Sequence, residues 1–237
     1  MPFQIMPAMT GMSGMSGLVG ASPFAALLTG LVAQWKMNGL SGAAEPDTIG
    51  GRNFSNNGTV GTTTGKVNTA RTFSSGNWLS LATGTPFNLY PMTIAFWLNT
   101  GGNNGTLIWH YNRALNGFKI SLNGSGVVQH FQYTDGSGSN RFDGVFTTPV
   151  NDGTWKHICI VVNASGSTLY INGVSDGTIP WVGTPQAPSH TGYFSVACDL
   201  IDNPVMTMSV DVLKVWNRAL SAAEAALDYN AGAGVEL

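Results

Sequence analysis

Charged residues are scarce in this chain: they make up 9% of its 237 residues, and the formal net charge is −2. Proteins that bind nucleic acid or an anionic membrane surface usually present a basic patch, and this composition offers none. The first charged residue is Lys36, whereas a secretory signal peptide begins with a positively charged region. Gly and Pro interrupt the residues before it too often for a membrane span of about 20 apolar residues. We therefore expect neither a nucleic acid nor a membrane as partner.

Glutamate is rarer still, with only Glu45, Glu224 and Glu236 in the whole chain. A retaining glycosidase needs two carboxylic side chains about 5 to 5.5 Å apart around one glycosidic bond. Three glutamates so widely separated in sequence do not suggest such a pair. The sequence also has no phosphate-binding Gly-Lys-Ser/Thr loop. We expect a protein that is not an enzyme.

Cysteine is nearly absent as well, because Cys159 and Cys198 are the only two. Each lies in an apolar stretch typical of a strand, so they are either two buried thiols or one cross-strand disulfide, and neither reading fixes the compartment. His157 shares a strand face with Cys159, but no further metal ligand follows at useful spacing. We expect His157 to pack or to hydrogen-bond rather than to bind a metal.

What the chain does contain is glycine, at 31 residues, and a hydrophobic fraction of 43%. From Gly30 onward, apolar segments recur about every ten residues between clusters of Gly, Asn, Ser and Pro, which is typical of a β-sandwich. Met206, Met208 and Val210 alternate with polar residues, as in a strand with one buried face. The pattern predicts strands near residues 31–37, 67–73, 77–82, 92–99, 106–110, 117–122, 127–133, 155–162, 167–172, 192–198 and 205–216.

The two ends of the chain depart from this strand pattern. Residues 1–30 are uncharged and rich in Met, and we expect an arm that lies against an apolar surface, most simply a neighbouring subunit of a homo-oligomer. Residues 31–237 then form the sandwich domain. Near the C-terminus, Ser221 and Glu224 make a Ser-x-x-Glu capping box, which predicts one short helix reaching to about Tyr229.

Four stretches resemble the laminin-G-like, concanavalin A-like lectin and glucanase superfamily. The most specific is residues 211–221, similar to the family's closing D-x-(V/L)-(R/K)-(V/I)-(Y/W)-N-R-A-L-S signature. Residues 151–173 match a D-G-x-W turn followed by L-Y-(I/V)-N-G, residues 31–38 resemble the first strand, and residues 47–60 resemble the D-x-x-G loop. The resemblance implies an all-β fold: an antiparallel β-sandwich of the jelly-roll type with one short C-terminal helix.

The same resemblance implies a possible calcium site. Members of the family often hold a structural calcium ion at the rim of the sandwich, which nominates Asp47 and Asp211 here, with Asn53 or a glycine carbonyl as helper. A calcium ion takes about six to eight oxygen ligands, and a loop rich in Asn, Gly and Asp can supply them. In the alternative reading, Asp47 caps a turn through its own backbone. Glucanases of this fold carry paired glutamates on one strand, which this sequence lacks.

Three aromatic residues are candidates for binding a glycan: Trp109, Tyr133 and Trp181. They stand beside Asn, Gln and Asp in predicted loops or strand ends. Exposed aromatic rings stack on sugar faces while neighbouring amides and carboxylates bond the hydroxyls. Core packing is the alternative for each.

Two functions follow as hypotheses. The first is a non-catalytic structural protein of a virus particle, such as a bacteriophage decoration, head-fibre or tail-associated subunit that displays a lectin-like sandwich in the virion. A single sandwich that carries an arm suited to subunit packing favours it. The second is a carbohydrate-binding or adhesive module that is extracellular or lies on a bacterial cell surface.

Overall fold

The computed structural model describes residues 22–112, 114, 116–198 and 206–237. Residues 1–21, which are most of the predicted arm, lie outside the described residues, as do residues 199–205 before the last strand. No helix in the described ranges is long and apolar enough to cross a membrane.

Short strands dominate the described chain, and two α-helices lie near its ends. The strands are β1 (Leu31–Trp35), β2 (Ser55–Asn57), β3 (Gly61–Thr64), β4 (Thr69–Phe73), β5 (Trp78–Leu81), β6 (Met92–Asn99), β7 (Gly105–Asn112), β8 (Asn116–Leu122), β9 (Val127–Tyr133), β10 (Arg141–Pro149), β11 (Lys156–Asn163), β12 (Gly166–Ile171), β13 (Val174–Ile179), β14 (Phe194–Val196) and β15 (Met208–Trp216). The helices are α1 (Ala25–Leu28) and α2 (Ala222–Tyr229), with 3-10 turns at Thr85–Phe87 and Asn230–Gly232.

The strands form two antiparallel sheets. The first sheet has the order β13-β12-β11-β6-β15-β4-β3, and β1 also pairs with β15. The second sheet has the order β10-β9-β8-β7-β14-β5-β2. Apolar side chains from both sheets meet in one core. This arrangement confirms the predicted all-β antiparallel sandwich.

All eleven strands predicted from sequence are present, and the four that were missed lie at the ends of the two sheet orders. These are β2, β3, β10 and β13. An edge strand packs fewer side chains against neighbours, so it can be polar: the sequences of β2 and β3 are Ser-Asn-Asn and Gly-Thr-Thr-Thr, and most of their residues are exposed or half-buried. Apolar alternation is therefore a weak signal for such strands.

Aromatic rings fill the middle of the core. The rings of Trp35, Phe54, Phe87 and Phe194 contact one another with centroids 4.4 to 6.0 Å apart. The indole N–H of Trp35 donates to the carbonyl of Arg52 at 2.8 Å, so this buried polar group has a partner.

The outer surface of the first sheet is covered by the two helices. In α1, Leu27 is fully buried, and its carbonyl accepts a hydrogen bond from the indole N–H of Trp216 at 2.7 Å. The guanidinium of Arg218 also donates to the carbonyls of Ala26 and Thr29. Residues 24–30 of the predicted arm thus pack against the sandwich itself.

Helix α2 starts as predicted. The Ser221 side chain accepts from the Glu224 N–H, and the Glu224 carboxylate accepts from the Ser221 N–H, which completes the capping box.

Cys159 and Cys198 are both buried and are not joined in a disulfide.

A buried ionic cluster ties α2 to the sheet beneath it. Asp228 on α2 pairs with Lys214 of β15 and hydrogen-bonds His157 of β11 at 3.0 Å, and all three side chains are almost fully buried. Lys214 also donates to the carbonyl of Val235 at 2.8 Å. Burial alone would raise the pKa of the Asp228 carboxyl, but Lys214 and His157 outweigh burial and hold that pKa below its ordinary value. His157 therefore has a packing and hydrogen-bonding role here.

We predict that Asp228→Ala lowers the free energy of unfolding by about 3 to 5 kcal/mol, because it leaves the Lys214 ammonium buried without its counter-charge. Urea unfolding followed by tryptophan fluorescence measures the change. Asp152→Ala, which removes the partner of Lys156 in an exposed pair, is the matched control and should change stability far less. Equal effects of the two substitutions would contradict the assigned role of Asp228.

Candidate functional site

Among the neighbouring strands β7 to β10 of the second sheet, two strands, β7 and β9, carry aromatic rings on the outer face of the sheet. Side chains alternate between the two faces of a strand, so residues two apart share a face. In β7 to β10 the inward positions are apolar or fully buried: Ile108, His110, Phe118, Ile120, His130 and Phe142. The outward positions of the same strands therefore point away from the core. They carry Trp109, Tyr111, Phe131 and Tyr133, which we call the aromatic face.

The strand register lines these side chains up in two rows across the sheet. One row runs from Trp109 through Lys119 and Phe131 to Asp143. The next row runs from Tyr111 through Gly117 and Tyr133 to Arg141. Side chains directly opposite each other on paired strands are close enough to touch, so each row is one contiguous strip of surface.

The four rings contact one another and form a single patch. Tyr111 lies at its centre, with ring centroids 5.5 Å from Trp109, 4.8 Å from Phe131 and 6.0 Å from Tyr133. Phe131 and Tyr133 are 5.7 Å apart. Tyr111, Phe131 and Tyr133 are each half-buried, so water reaches part of each ring. Exposed apolar surface of this kind commonly marks a binding surface.

Gly117 lets the two tyrosine rings approach each other. It lies between Tyr111 and Tyr133 in their row and has a φ of 107°, a region that favours glycine. A Cβ atom at this position would lie 2.0 Å from the carbonyl oxygen of His110. No other residue fits there without moving the backbone.

Polar groups border the aromatic face on two sides. The Tyr133 hydroxyl donates to the Asp143 carboxylate at 2.6 Å, and burial together with this bond raises the pKa of Tyr133 to about 12. On the other side, the Lys119 ammonium lies 5.7 Å from the centre of the Trp109 ring. Trp109 is only 4% exposed. The face thus combines apolar rings with a carboxylate acceptor and a neighbouring ammonium group.

The aromatic face contains two of the three residues predicted to stack on a glycan, Trp109 and Tyr133. Trp181 lies elsewhere: its ring packs edge-on against the core residue Phe142 at 4.8 Å, and its N–H donates to the Asn163 carbonyl at 2.7 Å. A stacking role for Trp181 stays a prediction without support from these contacts. Tyr111 was not among the predicted residues.

Period-two spacing is the sequence signal that could have found the other rings. Trp109 and Tyr111 are two apart, and so are Phe131 and Tyr133, within segments already predicted as strands. Which face of a strand is buried, however, depends on its neighbours in the sheet. The core side of β9 is formed in part by His130 and Gln132, which are polar, so the sequence alone did not indicate that Phe131 faces outward.

The predicted calcium ligand Asp47 organises its own loop. Its Oδ1 accepts hydrogen bonds from the backbone N–H groups of Gln34, Ile49 and Gly50, each at 3.0 Å. Its Oδ2 accepts from the Arg52 N–H at 3.2 Å and lies 3.6 Å from the Arg52 guanidinium. Four N–H groups and one guanidinium lie against this carboxylate, and calcium needs oxygen ligands in those places, so this set of neighbours does not fit calcium. The Asn53 side-chain oxygen accepts from the Asp47 N–H at 3.0 Å, so it serves the same turn.

Asp211 belongs to a different cluster. Its Oδ2 accepts from the Val67 N–H at 2.8 Å, and its Oδ1 is buried without a hydrogen bond among the described residues. Burial raises the pKa of Asp211 to about 7, although N–H groups of Val67, Lys66 and Val212 oppose the shift. In the part of the chain that the structure describes, no three His, Cys, Asp or Glu side chains form a group that could hold a metal ion.

The three glutamates lie at three separate places, each with its own partners. Glu45 is buried beside Arg71, with 3.9 Å between their charged atoms. Glu224 pairs with Arg218 and caps α2, and Glu236 pairs with Lys36 at 3.1 Å.

A G-x-S-x-G sequence occurs at residues 173–177, but it runs into the edge strand β13 and is not at a strand-to-helix turn, so it is not a nucleophile elbow.

The fold and the aromatic face together define a lectin-like β-sandwich. The sequence profile of the concanavalin A-like lectin/glucanases superfamily matches residues 72–226, and the chain belongs to this superfamily. This confirms the resemblance inferred from the sequence motifs. No curated protein matches the chain by sequence.

Solved structures of binding domains share the fold. The binding domain of Paraclostridial Mosquitocidal Protein 1 is 18% identical, with a TM-score of 0.70 over 86% of this chain and 52% of that chain. Domain 4 of AbnA, an extracellular arabinanase from Geobacillus stearothermophilus solved with arabinotriose, is 19% identical, with a TM-score of 0.61 over 83% of this chain and 96% of that domain. This chain spans about half the length of the mosquitocidal binding domain.

A botulinum neurotoxin type C structure is also similar, with 16% identity and a TM-score of 0.65 over 88% of this chain and 53% of that chain. Cell entry of that toxin depends on interaction with two ganglioside molecules. At these identities the similarity shows the fold alone.

The contacts of Asp47 predict that calcium does not stabilise the protein. A ligand that binds only the folded state raises the melting temperature. We expect the same melting temperature in excess calcium and in a chelator, because the Asp47 oxygens are already occupied by N–H donors. Differential scanning fluorimetry at matched ionic strength checks this. A rise in calcium that Asp47→Asn abolishes would contradict it and support the predicted site.

Proposed function

We propose that this chain is a non-catalytic glycan-binding module and that the aromatic face is its binding surface. The observation that carries the proposal is the contiguous patch of four rings on the outer face of a sheet, three of them partly open to water, with Asp143 and Lys119 beside them. One face of a sugar ring is apolar and stacks on an aromatic ring, while its hydroxyls need donors and acceptors at the rim. The aromatic face supplies the rings, and the Asp143 carboxylate supplies an acceptor beside them.

Similar domains support the proposal as precedent. One was solved with arabinotriose, and another belongs to a toxin whose entry is described as ganglioside-dependent. Domains that share the β-sandwich fold serve many functions, so these similarities support glycan binding only in combination with the aromatic face.

The arrangement of carboxylates favours binding over hydrolysis. A glycosidase needs two carboxylic groups around the scissile bond. Asp143 is one candidate beside the rings, and Asp135, on the loop between β9 and β10, is the acidic residue nearest to it in sequence. The Asp135 oxygens already accept from the N–H groups of Ser137 and Gly138 and from the Asn140 amide. Asp135 therefore serves its own turn.

Phe131→Ala and Tyr111→Ala should each weaken glycan binding about fivefold or more, because loss of a stacked ring costs about 1 kcal/mol or more. A glycan microarray identifies the bound sugars, and isothermal titration calorimetry with the best of them measures affinity. Tyr170→Ala is the matched control, since Tyr170 is a half-buried aromatic residue on the outer side of the other sheet.

Unchanged affinity in both variants, with the fold intact by circular dichroism, would rule out the aromatic face as the binding surface. An equal loss of glycan affinity in Tyr170→Ala and Phe131→Ala would also rule out the aromatic face as the binding surface.

We further propose that the module is displayed by a larger assembly, such as a virus particle, through its N-terminal segment. Residues 1–35 carry no charge, and Leu27 is docked on the outer side of the first sheet. That side is opposite to the aromatic face, so a subunit contact made through the preceding residues would leave the rings free. A self-standing module on a bacterial surface is the alternative.

Deleting residues 1–21 should convert a defined oligomer into a folded monomer under the assembly hypothesis. The deletion stops before Leu27, because removing the docked segment would expose the apolar surface around Trp216. Light scattering after size-exclusion chromatography gives the mass of each form. Equal glycan affinity in both forms serves as the folding control, and a full-length chain that is already a monomer would count against assembly through this segment.

A further inference from the structure

Among the residues that the structure describes, four charged side chains border the aromatic face. Lys119 and Asp143 flank Phe131 in one row, and Arg141 follows Tyr133 in the next. Asp135 begins the loop that follows Tyr133. These four described groups are two cations and two anions.

Three of the four charged groups are directed toward partners in the protein. Lys119 lies over the Trp109 ring, Arg141 donates to the carbonyl of Gly138, and the carboxylate of Asp135 accepts from its own loop. Asp143 differs from them. Its Oδ2 accepts the Tyr133 hydroxyl, while its Oδ1 makes no hydrogen bond within the described residues, and Asp143 is exposed.

The Tyr133 hydroxyl holds the Asp143 carboxylate in place. The bond is 2.6 Å long, in the range of strong hydrogen bonds to a charged acceptor. The pKa of Tyr133, raised to about 12 by burial and by this bond, keeps the hydroxyl protonated at neutral pH, so the tyrosine stays a donor. A fixed carboxylate with one open oxygen therefore lies next to the half-buried ring of Phe131 in the same row.

We propose that the aromatic face binds neutral sugars and excludes acidic ones, and that Asp143 determines this specificity. The inference rests on the proposed glycan-binding function and goes one step beyond it. A neutral sugar stacked on Phe131 can donate a hydroxyl to the open Oδ1, which is a charge-assisted hydrogen bond. A uronic or sialic acid in the same place brings a second carboxylate close to Asp143, and like charges at a partly desolvated contact disfavour binding.

The test compares neutral and acidic glycans on one array with the full chain, followed by calorimetry with a size-matched pair. Cellotriose or arabinotriose is the neutral probe and trigalacturonate is the acidic one, at low ionic strength so that charge effects are not screened. We expect binding among the neutral glycans and affinity for acidic ones that is weaker by about tenfold or more.

Asp143→Asn separates charge from shape, because the amide oxygen can still accept from Tyr133. The substitution should weaken the affinity for the neutral trisaccharide about tenfold, because the charged acceptor is lost. It should also reduce the difference between the affinities for the neutral trisaccharide and for trigalacturonate. Asp152→Asn changes the net charge equally, at an exposed turn on another part of the fold, and should leave both affinities unchanged.

Each other outcome overturns the proposal in a recognisable way. Equal or tighter binding of acidic glycans would overturn the inferred specificity and leave the binding function intact. Selectivity that survives in Asp143→Asn would overturn the role of Asp143. No binding to any neutral or acidic glycan would overturn the proposed function and this inference together.

Discussion

The alternation of side chains along β7, β8, β9 and β10 determines both the core and the aromatic face. Phe118 and Phe142 point into the sandwich, so their neighbours Lys119 and Asp143 must point out. A slip of one residue in any pairing would reverse the two sets and bury the charges. Register is therefore strongly specified by the core, and the positions of the exposed rings follow from it. The candidate binding surface is in this sense a consequence of folding.

The outer surfaces of the two sheets differ in a way that suggests how the molecule is used. Helices α1 and α2 cover the first sheet, and the buried cluster of Asp228, Lys214 and His157 fixes α2 there. No helix among the described residues covers the rings of the second sheet. A protein gains nothing in stability from leaving such rings in water, so their exposure points to a ligand. Attachment on one side and binding on the other are compatible in this geometry.

Much of the fold could be predicted from sequence, and less of the site. Interior strands such as β6 are apolar on both faces or have alternating apolar and polar residues, which the sequence shows. The edge strands β2, β3, β10 and β13 are polar or have an irregular pattern, so they were missed. At the site, Trp109 and Tyr133 were predicted from residue type. Trp181 stands among Pro and Gly, which suggests exposure, yet Phe142 and Tyr90 pack against its ring. The N–H donors around Asp47 come from the loop backbone, which a motif does not reveal.

The most direct test of this account is an NMR map of the bound glycan. Amide shifts and contacts between sugar C–H and aromatic protons are recorded while the tightest neutral glycan from the array is titrated into the isotope-labelled chain. The account predicts contacts from the sugar to the rings of Tyr111, Phe131 and Tyr133, with amide shifts concentrated in β7 to β10. Contacts at the first sheet or at the loop of Asp47, with the aromatic face unperturbed, would contradict it.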